Sequence, residues 1–424
     1  MDLNRETRYE YNEDEMLEKV ILSSGIEKEI IYDNLQRVKE IRYGDKYRYL
    51  YYYLTKGDHT SNLIEKEIIV KDNKELLKRE YTYNNMMNIT KIYENKELVN
   101  RYEYDSVNRL VREDNKKLNK TIIYSYDNGG NIESKKEYAY SLEDIYTLDL
   151  LIDNKYQYAY VGNKDRLMTY NNLECSYDVL GRPTLYMGNL VEWHKGNMSK
   201  YNDITYTYNL EGNRVSKSYN GVTTRYHYQD NKLLLEDNGN LIVYEYDESE
   251  VVGFHCKDIG EYHYLKNIQG DIIGILDSFN RVIVKYEYEG YGKHRTYVLN
   301  NNEYVDIENE VSYSEDGSNN KLIANMNPFR YRGYYYDVES GLYYLITRYY
   351  DPSTGRFISV DSLEYLDKDS LNGLNLYAYC LNNPIMLTDS NGSSAWTDFW
   401  NSTGGKILGT VLVVAAAAAL TYFT

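Results

Sequence analysis

The motif Tyr-x-Tyr followed by Asp or Asn, and then by a Gly- or Asn-bearing turn, recurs along most of this chain. Copies stand at Tyr81-Thr82-Tyr83-Asn84, Tyr102-Glu103-Tyr104-Asp105, Tyr124-Ser125-Tyr126-Asp127, Tyr206-Thr207-Tyr208-Asn209 and Tyr244-Glu245-Tyr246-Asp247, with degenerate forms near Tyr32-Asp33 and Tyr177-Asp178. A spacing of roughly 20 residues is that of one supersecondary unit per repeat. In the copy beginning at Tyr102, Tyr102 and Tyr104 share one face of a strand by period-2 alternation. Asp105 to Asn108 turn the chain, since Asp and Asn side chains bond nearby backbone and tolerate left-handed geometry. Leu110 and Arg112 resume the alternation on the way back. Each unit is therefore a β-hairpin, marginal alone, that must pack against its neighbours. The fold class this predicts is all-β.

The chain of 424 residues holds 53 Tyr beside 6 Phe and 3 Trp, so the repeat selects a ring with a hydroxyl rather than aromatic bulk in general. Cross-strand tyrosine ladders, each hydroxyl on a polar partner, are the expected arrangement. The competing reading is a stacking platform for sugars or bases. A net charge of −17 argues against nucleic-acid binding by the repeats, because phosphate contact needs a basic surface. Cys175, Cys256 and Cys380 are too scattered for a disulfide framework or a zinc pattern. The six histidines are equally dispersed, and His227 and His263 lie in Tyr-His-Tyr strands as ladder members. No His-Glu-x-x-His, Gly-x-Ser-x-Gly or phosphate-loop pattern occurs, so neither a metal nor a cofactor is expected. The first residues carry no apolar signal-peptide core.

Two stretches carry a closer resemblance. Tyr262–Gly292 reads YHYLKNIQGDIIGILDSFNRVIVKYEYEGYG, and Pro328–Gly392 begins PFRYRGYYYDVESGLYYLITRYYDPSTGRFISVD and ends NPIMLTDSNG. With the repeats, these resemble the Rhs/YD-repeat family of polymorphic toxins. The resemblance implies a β-hairpin spiral forming a shell, closed by a core segment that precedes a variable C-terminal toxin. Residues 1–260 would be the repeat array, 261–392 the closing core, and 393–424 the start of the variable tail. It implies a secreted or cell-surface protein of bacterial competition, with the C-terminal toxin segment as enclosed cargo and an immunity protein as a further partner. Shells of this family are commonly longer, so this chain is expected to form part of one.

The resemblance also implies an aspartyl autoprotease that acts once. Its carboxylates fall on Asp361 and Asp389, with Arg356 as a third residue orienting a carboxylate or stabilising oxyanion charge. Two close carboxylates cannot both ionise cheaply, so one stays protonated and donates to the scissile carbonyl while the other activates water. High effective molarity of the chain's own next residues makes a modest site sufficient. The implied bond is Ser393–Ser394. Where the family signal resembles Asp-Pro-x-Gly-Leu, this chain has Asp389-Ser390-Asn391-Gly392-Ser393, which loosens the turn and removes an apolar anchor. Taken alone, Asp389 reads as a turn residue and Asp361 as a loop or cap residue.

After Gly392 the composition changes. Residues 407–423, ILGTVLVVAAAAALTYF, form an apolar run at the lower limit for a membrane-spanning helix. Its rival readings are a buried helix or the truncated start of a region ahead of a missing toxin. Two function classes follow from the sequence: a toxin-delivery shell with single-turnover self-cleavage, and a surface adhesion or carbohydrate-binding module using exposed repeat faces.

Overall fold

Each repeat folds as an antiparallel hairpin whose turn is tied by one Asp or Asn side chain. The computed structural model describes residues 6–57, 59–247, 250–307, 319–361 and 375–393. In the hairpin of β9 (Glu97–Tyr104) and β10 (Leu110–Asn115), Asp105 Oδ1 accepts the backbone N–H groups of Val107 at 3.0 Å and Arg109 at 2.9 Å. Arg109 Nε donates to the other carboxylate oxygen at 2.7 Å. Asn108 then takes φ +66°, a left-handed position that Asn and Gly adopt at low cost. Gly130, Gly181 and Gly212 hold the same place in later turns at φ +79°, +78° and +87°. A one-residue register shift between Leu110 and Arg112 bends the returning strand.

The second tyrosine of each unit explains the demand for a hydroxyl. Tyr104 donates its O–H to the carbonyl oxygen of Ile89, one hairpin back, at 2.7 Å. Tyr53 does the same to Val38, Tyr83 to Ile64, Tyr126 to Leu110, Tyr158 to Ile132, Tyr208 to Met198 and Tyr288 to Ile272, over distances of 2.6–2.9 Å. Each ring fills core volume while its hydroxyl satisfies a carbonyl of the preceding unit. The first tyrosine behaves differently. Tyr124 and Tyr206 are buried with hydroxyls that have no hydrogen-bond partner, so these rings serve as apolar volume.

Among the described residues, strands β1–β15 run in sequence order from Arg8 to Glu174 as one meandering antiparallel sheet, and β16–β30 form a second from Ser176 to Asp306. The boundary drawn at residue 260 falls inside the second sheet, where β25 (Val251–Cys256) pairs with β26 (Gly260–Lys266). The hairpin chemistry continues there: Asn267 Oδ1 accepts the N–H groups of Gln269 and Asp271, and Asp277 Oδ1 those of Phe279 and Arg281. The chain changes character only after Asp306, with a short helix α1 (Asn320–Met326) and a small sheet of β31 (Tyr335–Asp337), β32 (Leu342–Leu345), β33 (Arg348–Asp351) and β34 (Arg356–Phe357).

That small sheet sits between the two walls. Tyr343 and Tyr350 pack with the core of the first sheet, whereas their chain neighbours Tyr344 and Tyr349 pack with that of the second. Strand alternation sends successive side chains to opposite faces, and here both faces are covered, so the strands read as unbroken aromatic runs. The ring contacts follow from this. Tyr124 meets Tyr291, Tyr206 meets Tyr349, and Tyr226 meets Tyr335, with centroids 5.1–5.7 Å apart in tilted or edge-on geometry. The expected ladders running hairpin to hairpin are thus largely replaced by rings reaching inward, because the closing segment offers them the buried surface. Buried ions pin it further: Arg214 pairs with Asp337 in full burial, and Lys217 Nζ lies 3.0 Å from the same carboxylate.

The first hairpins lie against the second sheet. Val20 and Leu22 pack with Val252, Lys28 Nζ pairs with Asp247 at 2.5 Å, and the Ser24 N–H donates to Glu245 at 2.7 Å. Farther along, Glu289 takes Lys135 at 2.6 Å and Lys120 at 2.8 Å across the two sheets.

Three substitutions test these contacts. Tyr104→Phe leaves a carbonyl without its donor and is expected to cost about 1–2 kcal/mol in denaturant unfolding. Tyr124→Phe removes only a partnerless hydroxyl and is expected to be neutral or stabilising. Glu236, buried under the Tyr335 hydroxyl at 2.8 Å, has its carboxyl pushed up to about 7, chiefly by burial. A carboxyl raised in the folded state leaves stability intact below its unfolded value and erodes it as pH rises to about 7, after which the loss is constant. Glu236→Gln, which keeps an acceptor for Tyr335, should therefore match wild type near pH 4.5 and exceed it by up to about 3 kcal/mol at pH 8. Equal pH profiles in paired melts would contradict this.

Candidate functional site

The strand β33 starts with a buried arginine. Arg348 follows the tight turn Ile346-Thr347, and its guanidinium lies 3.5 Å from the centroid of the Phe357 ring, so the stem is fixed by packing before any ion is met. Its Nη2 lies 2.8 Å from Asp361 Oδ2 and 3.4 Å from Asp389 Oδ2. Nη1 donates to the Leu376 carbonyl at 2.9 Å, and Nε donates to the carbonyl of Gly392. One planar fork thereby holds both predicted aspartates and the backbone just before Ser393. Burial pulls this guanidinium below its ordinary value, while Asp361 and Asp389 oppose that pull.

Asp389 has a second task. Its Oδ1 accepts the backbone N–H groups of Gly392 at 2.9 Å and Ser393 at 3.0 Å, which is the turn expected of Asp-Ser-Asn-Gly. The Ser393 hydroxyl and N–H both donate to Asn391 Oδ1, at 2.7 and 2.9 Å. Asn391 is held in turn, its carbonyl accepting the Thr347 hydroxyl at 2.7 Å. Gly392 takes φ +81°, and a Cβ there would lie 2.8 Å from Thr347 Oγ1 and 2.9 Å from the Leu345 carbonyl. Only glycine fits so close to the β32–β33 turn. Behind the site, the Tyr334 hydroxyl accepts the Asp389 N–H at 3.0 Å and lies 2.9 Å from both Thr388 Oγ1 and Tyr379 Oη.

The structure thus brings Asp361, Asp389 and Ser393 together and places Arg356 elsewhere. Arg356 donates to the Asp165 carbonyl and lies about 5 Å from the rings of Tyr158 and Tyr377, where it fastens the closing segment to the first sheet. Arg348 occupies the position that the sequence reading assigned to Arg356. In Thr347-Arg348-Tyr349-Tyr350 it looks like an ordinary strand residue, and the one signal was a charged side chain in a strand otherwise suited to two-sided burial. Ser394 and the apolar run 407–423 lie outside the described residues. Among the described residues no helix is long and apolar enough to cross a membrane, and no group of three His, Cys, Asp or Glu is arranged around a metal. A cavity of about 460 Å³ opens beside the tail turn, lined by Thr388, Ser390 and Asn391 together with Tyr228, Lys266 and Arg332. A space of that size holds a small molecule or a few residues.

No family model matches the chain. Among curated proteins it is 40% identical over 135 residues to the tRNA nuclease WapA of Bacillus subtilis, which is 32% of this chain and 5% of that protein. It is 46% identical over 65 residues to the toxin protein Tse5 of Pseudomonas aeruginosa, 15% of this chain and 5% of that one. It is also 44% identical over 71 residues to the toxin subunit YenC2 of Yersinia entomophaga, 16% of this chain and 7% of that one. This chain therefore spans a small fraction of the length of these relatives. The fold is shared with the crystal structure of TcdB2-TccC3-TEV and with the Photorhabdus luminescens Tc holotoxin pore. Each has a TM-score of 0.69 at 21% identity, over 91% of this chain and 20% of the other. In its tyrosine repeats, its closing segment and its all-β spiral fold, this chain resembles the Rhs/YD-repeat family.

Proposed function

We propose that this chain is the closing part of an Rhs-type toxin shell, which holds the polypeptide following Ser393 and severs it once at the Ser393–Ser394 bond. The observation that carries the reading is the shared grip of Arg348 on Asp361 and Asp389, with Asp389 also holding the backbone of Gly392 and Ser393. What supports it is that Asp389 holds the Ser393 N–H directly, because the turn ahead of the proposed bond is built on that carboxylate. Water activated by one carboxylate would add to the Ser393 carbonyl carbon. The other would protonate the leaving Ser394 nitrogen as the C–N bond breaks. Arg348 orients the pair and, through Gly392, the substrate backbone.

The toxin reading draws on the WapA, Tse5 and YenC2 matches, and its enclosed cargo, immunity partner, place outside the producing cell and role in bacterial competition come with that reading. The 460 Å³ cavity is too small for a folded domain, so enclosure would rest on further wall beyond these sheets. A membrane contact by residues 407–423 belongs to the same proposal. The alternative of exposed aromatic faces for glycans loses its basis in the repeat tyrosines, since Tyr81, Tyr102, Tyr124, Tyr206 and Tyr244 are all buried.

Intact mass spectrometry of the purified chain tests the reading. A fragment ending at Ser393 is expected from wild type, and Asp361→Asn and Asp389→Asn should each leave the full mass. Arg348→Lys keeps the charge but loses the fork, and should slow release by about a hundredfold or more. Identical fragments from wild type and both aspartate variants, all three folded by circular dichroism, would refute self-cleavage.

A further inference from the structure

In the first sheet the regular hairpin succession is interrupted between β12 (Ile132–Ala139) and β13 (Leu150–Tyr158). The connection from Tyr140 to Asp149 is longer than a repeat turn, and its start is pulled to one side. Arg112 Nη2 donates to the carbonyls of Ser141 at 3.1 Å and Glu143 at 2.7 Å, and Thr121 Oγ1 donates to Ser141 at 3.0 Å. The loop therefore folds over β10 and β11 (Lys120–Tyr126), on the β12 side of β13.

The opposite side of β13 is left open along its first half. β13 pairs with β12 from Leu150 to Lys155, but the next strand, β14 (Leu167–Tyr170), pairs with it only at Tyr156, Gln157 and Tyr158. The Asn171 N–H then caps the Lys155 carbonyl at 3.0 Å, and no described strand continues beyond it. Backbone groups between Leu150 and Asn154 that point away from β12 thus face a vacant strand position. The side chains there are apolar and exposed: Leu150 by 47%, Leu151 by 62% and Ile152 by 48%, with Tyr146 nearby in the loop at 91%. Ile152 continues the face on which Asn154 and Tyr156 are buried, and a register shift against β12 sets a bulge at Leu151, so an added strand would extend the core of the first sheet at Ile152. Natural sheets blunt such edges with charge, proline or cover, and an open apolar edge is a ready template for pairing.

We propose that the open edge of β13 at Leu150–Asn154 is a docking site for an extended strand of another protein, apolar at its centre and carrying Lys or Arg at its flanks. Strand addition supplies backbone hydrogen bonds, and alternate side chains supply selectivity. The flanks select for positive charge. Glu143, Asp144 and Asp149 precede the apolar triplet and Asp153 follows it, with Lys155 3.9 Å from Asp153 as the one base on this stretch, so the acids are in excess on a chain of net charge −17. The same acids disfavour a second copy of this chain, because antiparallel self-pairing centred on Leu151 sets Asp149 against Asp153, and like charges placed opposite one another destabilise a sheet pair.

The test uses the purified full chain and two short fluorescent peptides of alternating Val and Thr, one flanked by lysines and its twin by glutamates. The lysine peptide is expected to bind about tenfold tighter than its twin at low salt, with hydrogen-exchange protection appearing at residues 150–154. Leu151→Lys, at an exposed position, should abolish that protection, and the double variant Asp149→Lys/Asp153→Lys should reverse the peptide preference while melting as wild type does. Equal affinity for both peptides, or none for either, would overturn the proposal. Protection elsewhere than 150–154 would do the same. So would concentration-dependent dimerisation in analytical ultracentrifugation that Leu151→Lys removes, because the occupant would then be a second copy.

Discussion

The hydrogen bond from each repeat's second tyrosine to a carbonyl one hairpin back is the constraint on which this architecture depends. A meander of two-residue-period hairpins has no intrinsic reason to keep a constant rise from unit to unit, since one hairpin is marginal and each touches only its neighbours. The tyrosine supplies two things at once: a ring large enough to fill the gap between strands, and a donor whose reach fixes where the previous strand must lie. Phenylalanine would supply only the first. That is the physical content of 53 Tyr against 6 Phe. The Asp or Asn turn after the tyrosine then resets the chain, and the arginine or asparagine that ends the turn ties it to the next unit, as Arg109 does by reaching the Asp127 carbonyl and lying over the Tyr126 ring.

A wall built in this way has one face of buried rings and needs something to bury them against. The closing segment provides it by being apolar on both faces. Tyr334 and Tyr335, Tyr343 and Tyr344, and Tyr349 and Tyr350 each divide between the two walls, so three adjacent pairs link sheets that share no strand. Several charges in this layer are paired to a wall, as Asp337 is with Arg214 and Arg332 with Asp271. Breaking such a pair strands an ion in a low-dielectric interior and costs more than the pair contributes, which makes these contacts guardians of register rather than sources of stability.

Much of the wall was legible in the sequence, because its determinants are local. Asp105 and Asn108 fix their turn within five residues, and the alternation of Tyr102 and Tyr104 gives the strand face without reference to the rest of the chain. The partner of the tyrosine hydroxyl was not legible, since Ile89 is identified only once the neighbouring hairpin is in place. The inward turn of the first tyrosines was hidden for the same reason: Tyr206 meets Tyr349 across the layer. Asp361 and Asp389 were reached through resemblance, while Arg348 was passed over in favour of Arg356. Both arginines sit in the same short sheet, and only the crossing of β33 with the segments at 361 and 389 decides which one meets the carboxylates.

The arrangement around Arg348 also bears on why a site of the proposed kind would act once. A guanidinium shared by two carboxylates balances one of their charges, and the proton that an aspartyl mechanism needs on one of them offsets the other. Hydrolysis after Ser393 would create a third carboxylate on the residue whose N–H is already held by Asp389. With one buried arginine facing three acids, the product end is disfavoured where the substrate was held. The turn contacts of Gly392 and Ser393, which position the bond before the cut, then become the contacts most readily given up after it. Single turnover on this reading needs no separate release device, because the charge made by the reaction acts against the grip that presented its own substrate.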